Sequence, residues 1–229
     1  MRLFFLTTLL LGFHSITFCQ DMTALVNKIK AKIDKVNDYV AEGSMKTDVA
    51  FIKAPVGKVK VFFKKPNRFK LKRDGGISIL PKGGVTVNMS SLISGNDFVA
   101  VAAGESIVNK TKTKVIKLLP TSDNSDVVLS TIYVDETNLL ILKASTTTKE
   151  NGSFEIEMNY GKYIAFALPD KVNFSFNTKD YKMPKGVALE FDDEEKFSDA
   201  EKLKRKKGSV QIIYRDYIIN HGVADEIFK

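Results

Sequence analysis

Most of this chain alternates apolar and polar residues with a period of two, the pattern of β-strands that bury one face. Val59, Val61 and Phe63 alternate with lysines, and short polar turns at 135–138 and 149–152 join later strands. Turns this short connect antiparallel neighbours. The pattern therefore predicts an α+β, mainly antiparallel fold built on one large sheet, and a sheet of about ten strands tends to curl. The predicted strands lie at 45–51, 59–63, 69–71, 77–80, 98–103, 114–119, 126–134, 139–147, 153–163, 171–176 and 211–219.

An amphipathic helix is predicted before the first strand. Its lysines and aspartates occupy one face, and Gly43 is its predicted end. The opposite, apolar face must be buried, and we expect it to cover the concave side of the sheet. A second, short helical insertion is expected at 88–94. The apolar stripe of the long helix consists of Leu25, Ile29, Ile33, Val36 and Val40.

The N-terminus has the order of an export signal. Arg2 precedes an apolar run over residues 3–13, which is too short to span a bilayer as an anchor. A buried N-terminal helix would carry polar residues at regular intervals, whereas this run is almost entirely apolar. We therefore expect residues 1–19 to be a signal peptide, leaving residues 20–229 as a single exported domain.

The cleavage point admits two interpretations. Cleavage between Cys19 and Gln20 removes the only cysteine of the chain. Alternatively, Cys19 is retained and acylated, which would anchor the protein in a membrane, although Phe18 is bulky where a lipoprotein signal requires a small residue. A mass measurement on the native protein distinguishes the two outcomes.

The remaining residue types exclude several chemistries. Cleavage after Cys19 leaves no cysteine, and His221 is then the only histidine. We therefore expect the domain to have no disulfide, no thiolate nucleophile and no zinc site built from cysteine and histidine. No phosphate-binding loop, paired metal-ligand spacing or nucleophile elbow is present. His221 follows an asparagine and precedes a glycine, which indicates a turn. We expect no enzyme activity, no metal and no cofactor.

The formal net charge of +8 leaves the choice of partners open. A basic surface suits anionic partners such as membrane headgroups, but it also occurs in proteins without such partners. The charged stretch 192–207 is interpreted as a solvated loop, with a headgroup-binding patch as the alternative. In 59–73 the lysines and most aromatic residues fall on opposite strand faces, which argues against nucleic acid.

The abundance of apolar side chains allows either a filled core or a ligand cavity. The chain has 16 phenylalanines and no tryptophan. A curled sheet covered by a single helix has more concave surface than the helix can fill, and an apolar cavity there would suit an acyl chain. The residue pattern alone leaves both alternatives open.

Three segments carry a resemblance to a known family. Residues 58–72 read KVKVFFKKPNRFKLK, residues 130–145 read STIYVDETNLLILKAS, and YGKY at 160–163 is followed by LPDKV at 168–172. In this order they resemble the periplasmic carriers of outer-membrane lipoproteins (LolA-like), and most closely the lipoprotein-sorting proteins of the Bacteroidetes. The resemblance covers most of 22–178, whereas 77–105 departs from the family pattern.

The resemblance implies an incomplete, half-open β-barrel of about ten strands with helices at its mouth. It implies a monomer in the periplasm, without a cofactor, that binds lipoprotein acyl chains or lipids and exchanges them with membrane-associated donor and acceptor proteins. A sensing or interaction domain of the same fold, without transport, is the alternative. In the best-known carriers an arginine precedes the Pro-Asn turn near the cavity entrance. Lys65 takes that position here, with Arg68 beyond it.

Strand alternation selects the residues expected to line the cavity. A slip of one residue moves every side chain of a strand to the opposite face of the sheet. The face of each strand that lines the cavity is therefore a separate expectation. The candidates are Ile33, Val36, Phe51, Phe63, Phe69, Leu71, Ile79, Val101, Tyr133, Leu140, Leu142, Phe154, Ile156 and Met158.

Overall fold

The computed structural model describes residues 22–49, 56–66, 68–74, 98–123, 125–149, 152–177 and 207–229. These residues form one α-helix, ten β-strands and two 3-10 turns. The elements are α1 (Thr23–Ile33), β1 (Asp38–Asp48), β2 (Gly57–Lys64), β3 (Arg68–Arg73), β4 (Phe98–Val108), β5 (Thr111–Pro120), β6 (Val127–Asp135), β7 (Leu140–Thr148), β8 (Gly152–Asn159), β9 (Lys171–Asn177) and β10 (Lys207–Ile219), with 3-10 turns at Ile164–Phe166 and Asp225–Phe228.

All ten strands belong to a single antiparallel sheet that does not close on itself. The strand order is β3-β2-β1-β10-β9-β8-β7-β6-β5-β4. The two edge strands, β3 and β4, follow one another in sequence but lie at opposite sides of the sheet, so they flank the opening of an incomplete barrel. The predicted fold class is confirmed. The helix expected at 88–94 and the strand expected at 77–80 lie outside the described residues.

The predicted end of the N-terminal helix is wrong. α1 ends at Ile33, Val36 lies in the turn that follows, and Val40 and Gly43 belong to β1. Val36 and Val40 continue the apolar spacing of the helix in the sequence, although neither residue is helical. From Asp38 onward the backbone gains hydrogen bonds to β2 and β10 on both sides, and this pairing outweighs a weak local helix preference.

Gly43 lies at an irregularity of the sheet and not at the end of a helix. The pairing of β1 with β10 shifts register between Glu42 and Gly43, which is a β-bulge. A Cβ atom at Gly43 would lie 2.2 Å from the backbone oxygen of Ile213. The two strands approach so closely here that only glycine fits without backbone movement.

The predicted strand over 153–163 is also too long. β8 ends at Asn159, and the chain turns through Gly161 and Lys162. The carboxylate of Asp170 accepts a hydrogen bond from the backbone N–H of Lys162 at 3.2 Å and lies where a side chain of residue 161 would stand. The Tyr-Gly-Lys-Tyr segment is therefore a turn between β8 and β9. Glycine is needed at 161 because a larger side chain would overlap the Asp170 carboxylate.

The inner face of the sheet, defined as the face that α1 packs against, carries the hydrophobic core. α1 contributes Val26, Ile29 and Ile33 to it, and the helix contacts edge strand β4 and the 3-10 turn at 164–166. Full burial of one such aliphatic side chain stabilises a fold by roughly 1.5–3 kcal/mol. One continuous cluster of buried side chains joins the helix to the sheet from β1 to β10.

Candidate functional site

Apolar side chains that are only partly buried line both sides of the barrel opening. On β3, Phe69 and Leu71 point to the inner face opposite Phe63 and Val61 of β2. On β4, Phe98 points inward and pairs with the end of β5. These rim residues pack against the core yet keep part of their surface in solvent. The rim residues thus lie at the boundary between the buried interior and solvent.

Phenylalanines concentrate deeper on the inner face, on β8 and β9. The ring centroids of Phe154 and Phe174 lie 5.5 Å apart, and those of Phe174 and Phe176 lie 5.4 Å apart. A Cβ atom on Gly208 of β10 would come within 2.5 Å of the Phe176 ring. Glycine at this position lets the ring lie against the backbone of β10, and Phe154, Phe174 and Phe176 form a continuous aromatic wall on β8 and β9.

A few polar groups interrupt this apolar surface. Ser130 and Thr146 are buried and their hydroxyls form a hydrogen bond of 2.9 Å. Thr47 is 5 % exposed, and within the described residues its hydroxyl has no hydrogen-bond partner. Arg73 continues the inward alternation of Phe69 and Leu71, and its guanidinium packs over Gly57. Sequence reasoning did not single out these four residues, although strand alternation places them on the inner face.

Most of the expected cavity residues lie in the core or against it. Phe69, Leu71, Val101, Tyr133 and Phe154 are partly buried, and the other candidates among the described residues are buried. Phe51 and Ile79 lie outside the described residues. The candidates found in the core cluster or packed on it are Ile33, Val36, Phe63, Phe69, Leu71, Tyr133, Leu140, Leu142, Phe154, Ile156 and Met158.

Two candidates face the other way, which corrects the expected facing. Val101 pairs with exposed Lys117, whereas its neighbour Ala100 is buried. Tyr133 pairs with Lys143, whose ammonium lies 5.7 Å from the tyrosine ring centroid and forms an ion pair with Glu155 at 2.7 Å. Both residues therefore lie on the charged outer face, because neighbouring side chains of a strand point to opposite faces.

The two expected entrance residues make specific contacts at the end of the sheet that carries the β2–β3 turn. The Lys65 ammonium donates a hydrogen bond to the backbone oxygen of Asp34 and lies 3.5 Å from its carboxylate. Arg68 forms an ion pair with Asp225 at 2.8 Å, and its guanidinium lies 5.4 Å from the Phe228 ring centroid. Lys65 thus ties the turn to the end of α1, and Arg68 holds the C-terminal 3-10 turn.

Buried tyrosines fill the same end of the barrel. The Tyr39 and Tyr217 rings pack edge to face with centroids 5.3 Å apart, and Tyr163 packs on Tyr217 at 4.9 Å. The Tyr217 hydroxyl donates a hydrogen bond of 2.7 Å to the backbone oxygen of Pro169. Burial raises the pKa of Tyr39 and of Tyr217 well above the usual value, so both phenols stay neutral.

The structure also places the one histidine of the described residues and their acidic side chains. His221 is exposed in the turn after β10, as predicted. Among the residues with defined positions, no three histidine, cysteine, aspartate or glutamate side chains are grouped to hold a metal ion. Within the same residues, no helix has the length and apolar character needed to cross a membrane.

Comparison with known proteins identifies the fold. No family model and no curated protein matches the sequence. Among solved structures, a Vibrio parahaemolyticus domain described as outer membrane lipoprotein-sorting has a TM-score of 0.56 at 11% identity, covering 90% of this chain and 95% of that one. A DUF1329 family protein from Desulfovibrio piger gives 0.53 at 11% identity, with 90% and 95% covered. A LolA superfamily protein from Nitrosomonas europaea gives 0.50 at 9% identity, with 89% and 97% covered. The chain shares with these solved structures the fold of an open β-barrel, formed here by one sheet of ten antiparallel strands.

Proposed function

We propose that this protein is a periplasmic carrier that binds the acyl chains of lipoproteins, or of lipids, on the inner face of its open barrel. The observation that carries the proposal is the apolar rim formed by Phe69 and Leu71 on β3 and Phe98 on β4. These side chains line the opening from both sides, and they lead to the aromatic wall of β8 and β9. An acyl chain entering there would meet apolar groups along its whole length.

The energetics of such a site are favourable. Each methylene moved from water into an apolar site contributes about 0.8 kcal/mol. Ten methylenes therefore contribute about 8 kcal/mol, which corresponds to a dissociation constant of about 1 μM before the free-energy cost of association is subtracted. A chain with about ten buried methylenes is thus expected to bind more weakly than this limit, and a longer acyl chain more tightly, so that a bound cargo can still be released to an acceptor.

Transport also requires a compartment and partners. We propose that residues 1–19 direct export and are removed, and that the carrier works as a monomer, without cofactor or enzymatic chemistry, between inner and outer membranes. Membrane-associated donor and acceptor proteins would load and unload it. The fold is shared with the lipoprotein-sorting domain of Vibrio parahaemolyticus, and that likeness supports the proposal.

Burial of the inner face favours a second candidate function. Ile156 and Met158 are each 1 % exposed and Phe174 is 2 % exposed, so this part of the interior packs upon itself. A domain with a permanently filled interior would act by binding a partner at its surface, as a sensor of lipids or lipoproteins that transports neither.

Titration with a fluorescent fatty-acid probe separates the two candidates. A carrier is expected to bind the probe saturably with about one site and to release it when unlabelled palmitate is added. Heat-denatured protein serves as the control for nonspecific adsorption. Fluorescence that rises linearly with protein, is unaffected by palmitate or equals that of the denatured control would contradict the carrier function.

A further inference from the structure

A strongly basic surface covers the outer side of β2 and β3. Side chains on this face alternate with the inward core residues of the same two strands, so all of them point away from the barrel interior. We call this surface the basic face. It consists of Lys58, Lys60, Lys64, Arg68, Lys70 and Lys72.

The basic face places like charges directly opposite one another. Lys60 pairs with Lys72, and Lys64 pairs with Arg68 across the β2–β3 ladder. Like charges that face each other across two strands destabilise a sheet. These two pairs are therefore not explained by the stability of the fold. An anionic partner would remove the repulsion.

Internal acids compensate only part of this charge. Glu42 lies 3.1 Å from the ammonium of Lys60, and Asp225 accepts ion pairs from both Lys64 and Arg68. Lys70 donates a hydrogen bond of 2.7 Å to the oxygen of Lys229, which belongs to the terminal carboxylate in this structure. In the described ranges, Lys58 and Lys72 form no ion pair with an aspartate or glutamate. Positive charge therefore remains at these two lysines.

Apolar side chains run across the same outer surface. Phe62, Val40 and Ile218 are direct neighbours on β2, β1 and β10. Ile218 is 56 % exposed, and Phe62 is covered by Lys72, whose ammonium lies 5.4 Å from the ring centroid. Cations beside exposed apolar residues are typical of surfaces that bind at the headgroup level of a membrane.

We propose that the basic face docks the protein onto an anionic phospholipid membrane. β3 carries Lys70 and Lys72 on its outer side, and Phe69 and Leu71 on its inner side at the barrel opening. Docking through the outer side of β3 therefore brings the opening next to the bilayer. The contact depends on headgroup charge and not on what the barrel contains, so it can be tested whether or not the protein carries an acyl chain.

Vesicle co-sedimentation tests the docking surface. The wild-type protein, expressed from the full sequence and purified without detergent, is compared with a K58Q/K70Q/K72Q variant. Vesicles are pure phosphatidylcholine or contain about one third phosphatidylglycerol, which supplies the anionic surface. The control variant K28Q/K110Q/K117Q removes the same charge from exposed lysines of α1, the β4–β5 turn and β5. Far-UV circular dichroism and thermal melting establish that all three proteins are folded.

The wild type is expected to bind the anionic vesicles at about 0.1 M salt and to be released at about 0.5 M, because screening weakens surface electrostatics. Each lysine near an anionic leaflet contributes about fivefold to binding, so the basic-face variant should bind about a hundredfold more weakly. The control variant should lose much less, because its lysines are dispersed over the molecule.

Three results would overturn the proposal. One is failure of the wild type to bind phosphatidylglycerol vesicles under the low-salt condition. Another is an equal loss of binding in the basic-face and control variants, which would show a response to net charge alone. The third is wild-type binding to polyglutamate but not to vesicles, which would assign the basic face to an acidic protein.

Discussion

Replacing Phe174 by alanine is expected to lower the free energy of unfolding by about 3–5 kcal/mol, the range for deleting a buried phenylalanine ring. Phe174 is 2 % exposed at the centre of the aromatic wall, between the rings of Phe154 and Phe176. Its strand neighbours are Ile156 on β8 and Val210 on β10, both buried. Deletion of the ring leaves these neighbours without partners, and a sheet hydrogen-bonded on both sides cannot collapse into the space.

Urea unfolding followed by circular dichroism measures this loss. The control is Ile213→Ala on the neighbouring strand β10, because Ile213 is 47 % exposed and its replacement should cost no more than about 0.5 kcal/mol. A loss below about 1 kcal/mol for Phe174→Ala, with an unchanged denaturant dependence, would mean that the ring is not packed in solution. The interior would then be more open than the buried cluster indicates.

Introducing a carboxylate at Phe98 is expected to weaken fatty-acid probe binding by at least about tenfold. Phe98 lies on the inner side of β4 at the barrel opening and packs against the core. An acyl chain passing this position would have to desolvate the charged glutamate side chain without offering it a partner, which costs several kcal/mol. Because Phe98 is only partly buried, Phe98→Glu should still fold.

Val99→Glu is the matched control for this prediction. Val99 follows Phe98 directly on β4, but it is 52 % exposed and pairs with Leu119 on the outer face. Its carboxylate would remain in water, so the affinity for the probe should stay within about twofold, since exposed substitutions away from a site have small effects. Equal losses in the two variants, or no loss in Phe98→Glu, would show that the probe does not enter at this edge.

Period-two alternation was sufficient to predict the fold class and most strands. The positions 59–63, 69–71, 98–103, 114–119, 139–147 and 171–176 all lie in strands, apart from Leu139 immediately before β7. The order of the strands was not predictable from the local pattern. Pairing of β1 with β10 joins residues more than 150 positions apart, and the separation of β3 from β4 depends on that pairing.

Errors in facing arose where the alternation was weak or broken. Residues 98–103 are apolar on both faces, so nothing in the sequence distinguished Val101 from Ala100. At Tyr133 the register with β7 shifts, and a bulge changes the relation between spacing and face. The helix was predicted too long because Val36 and Val40 continued its spacing. These errors share one cause, since tertiary pairing decides what a local pattern leaves undetermined.

The candidate site was predicted in its apolar part and missed in its polar part. Phe69, Leu71 and Phe154 were identified from alternation alone, because large apolar residues on a strand usually mark its buried face. Thr47 and Arg73 share that alternation, but a hydroxyl or a cation on a strand is ordinarily solvated, and only the folded chain shows both on the inner face.

The acyl-carrier function is tested most directly by native mass spectrometry of the protein purified from its own cells without detergent. We expect a population whose mass exceeds that of the polypeptide by a noncovalently bound acylated molecule, which is released as the protein unfolds. The mass of the unfolded chain also shows whether Cys19 was removed or acylated. A polypeptide that is always free of such cargo, and that also fails to bind the fatty-acid probe, would contradict the acyl-carrier function.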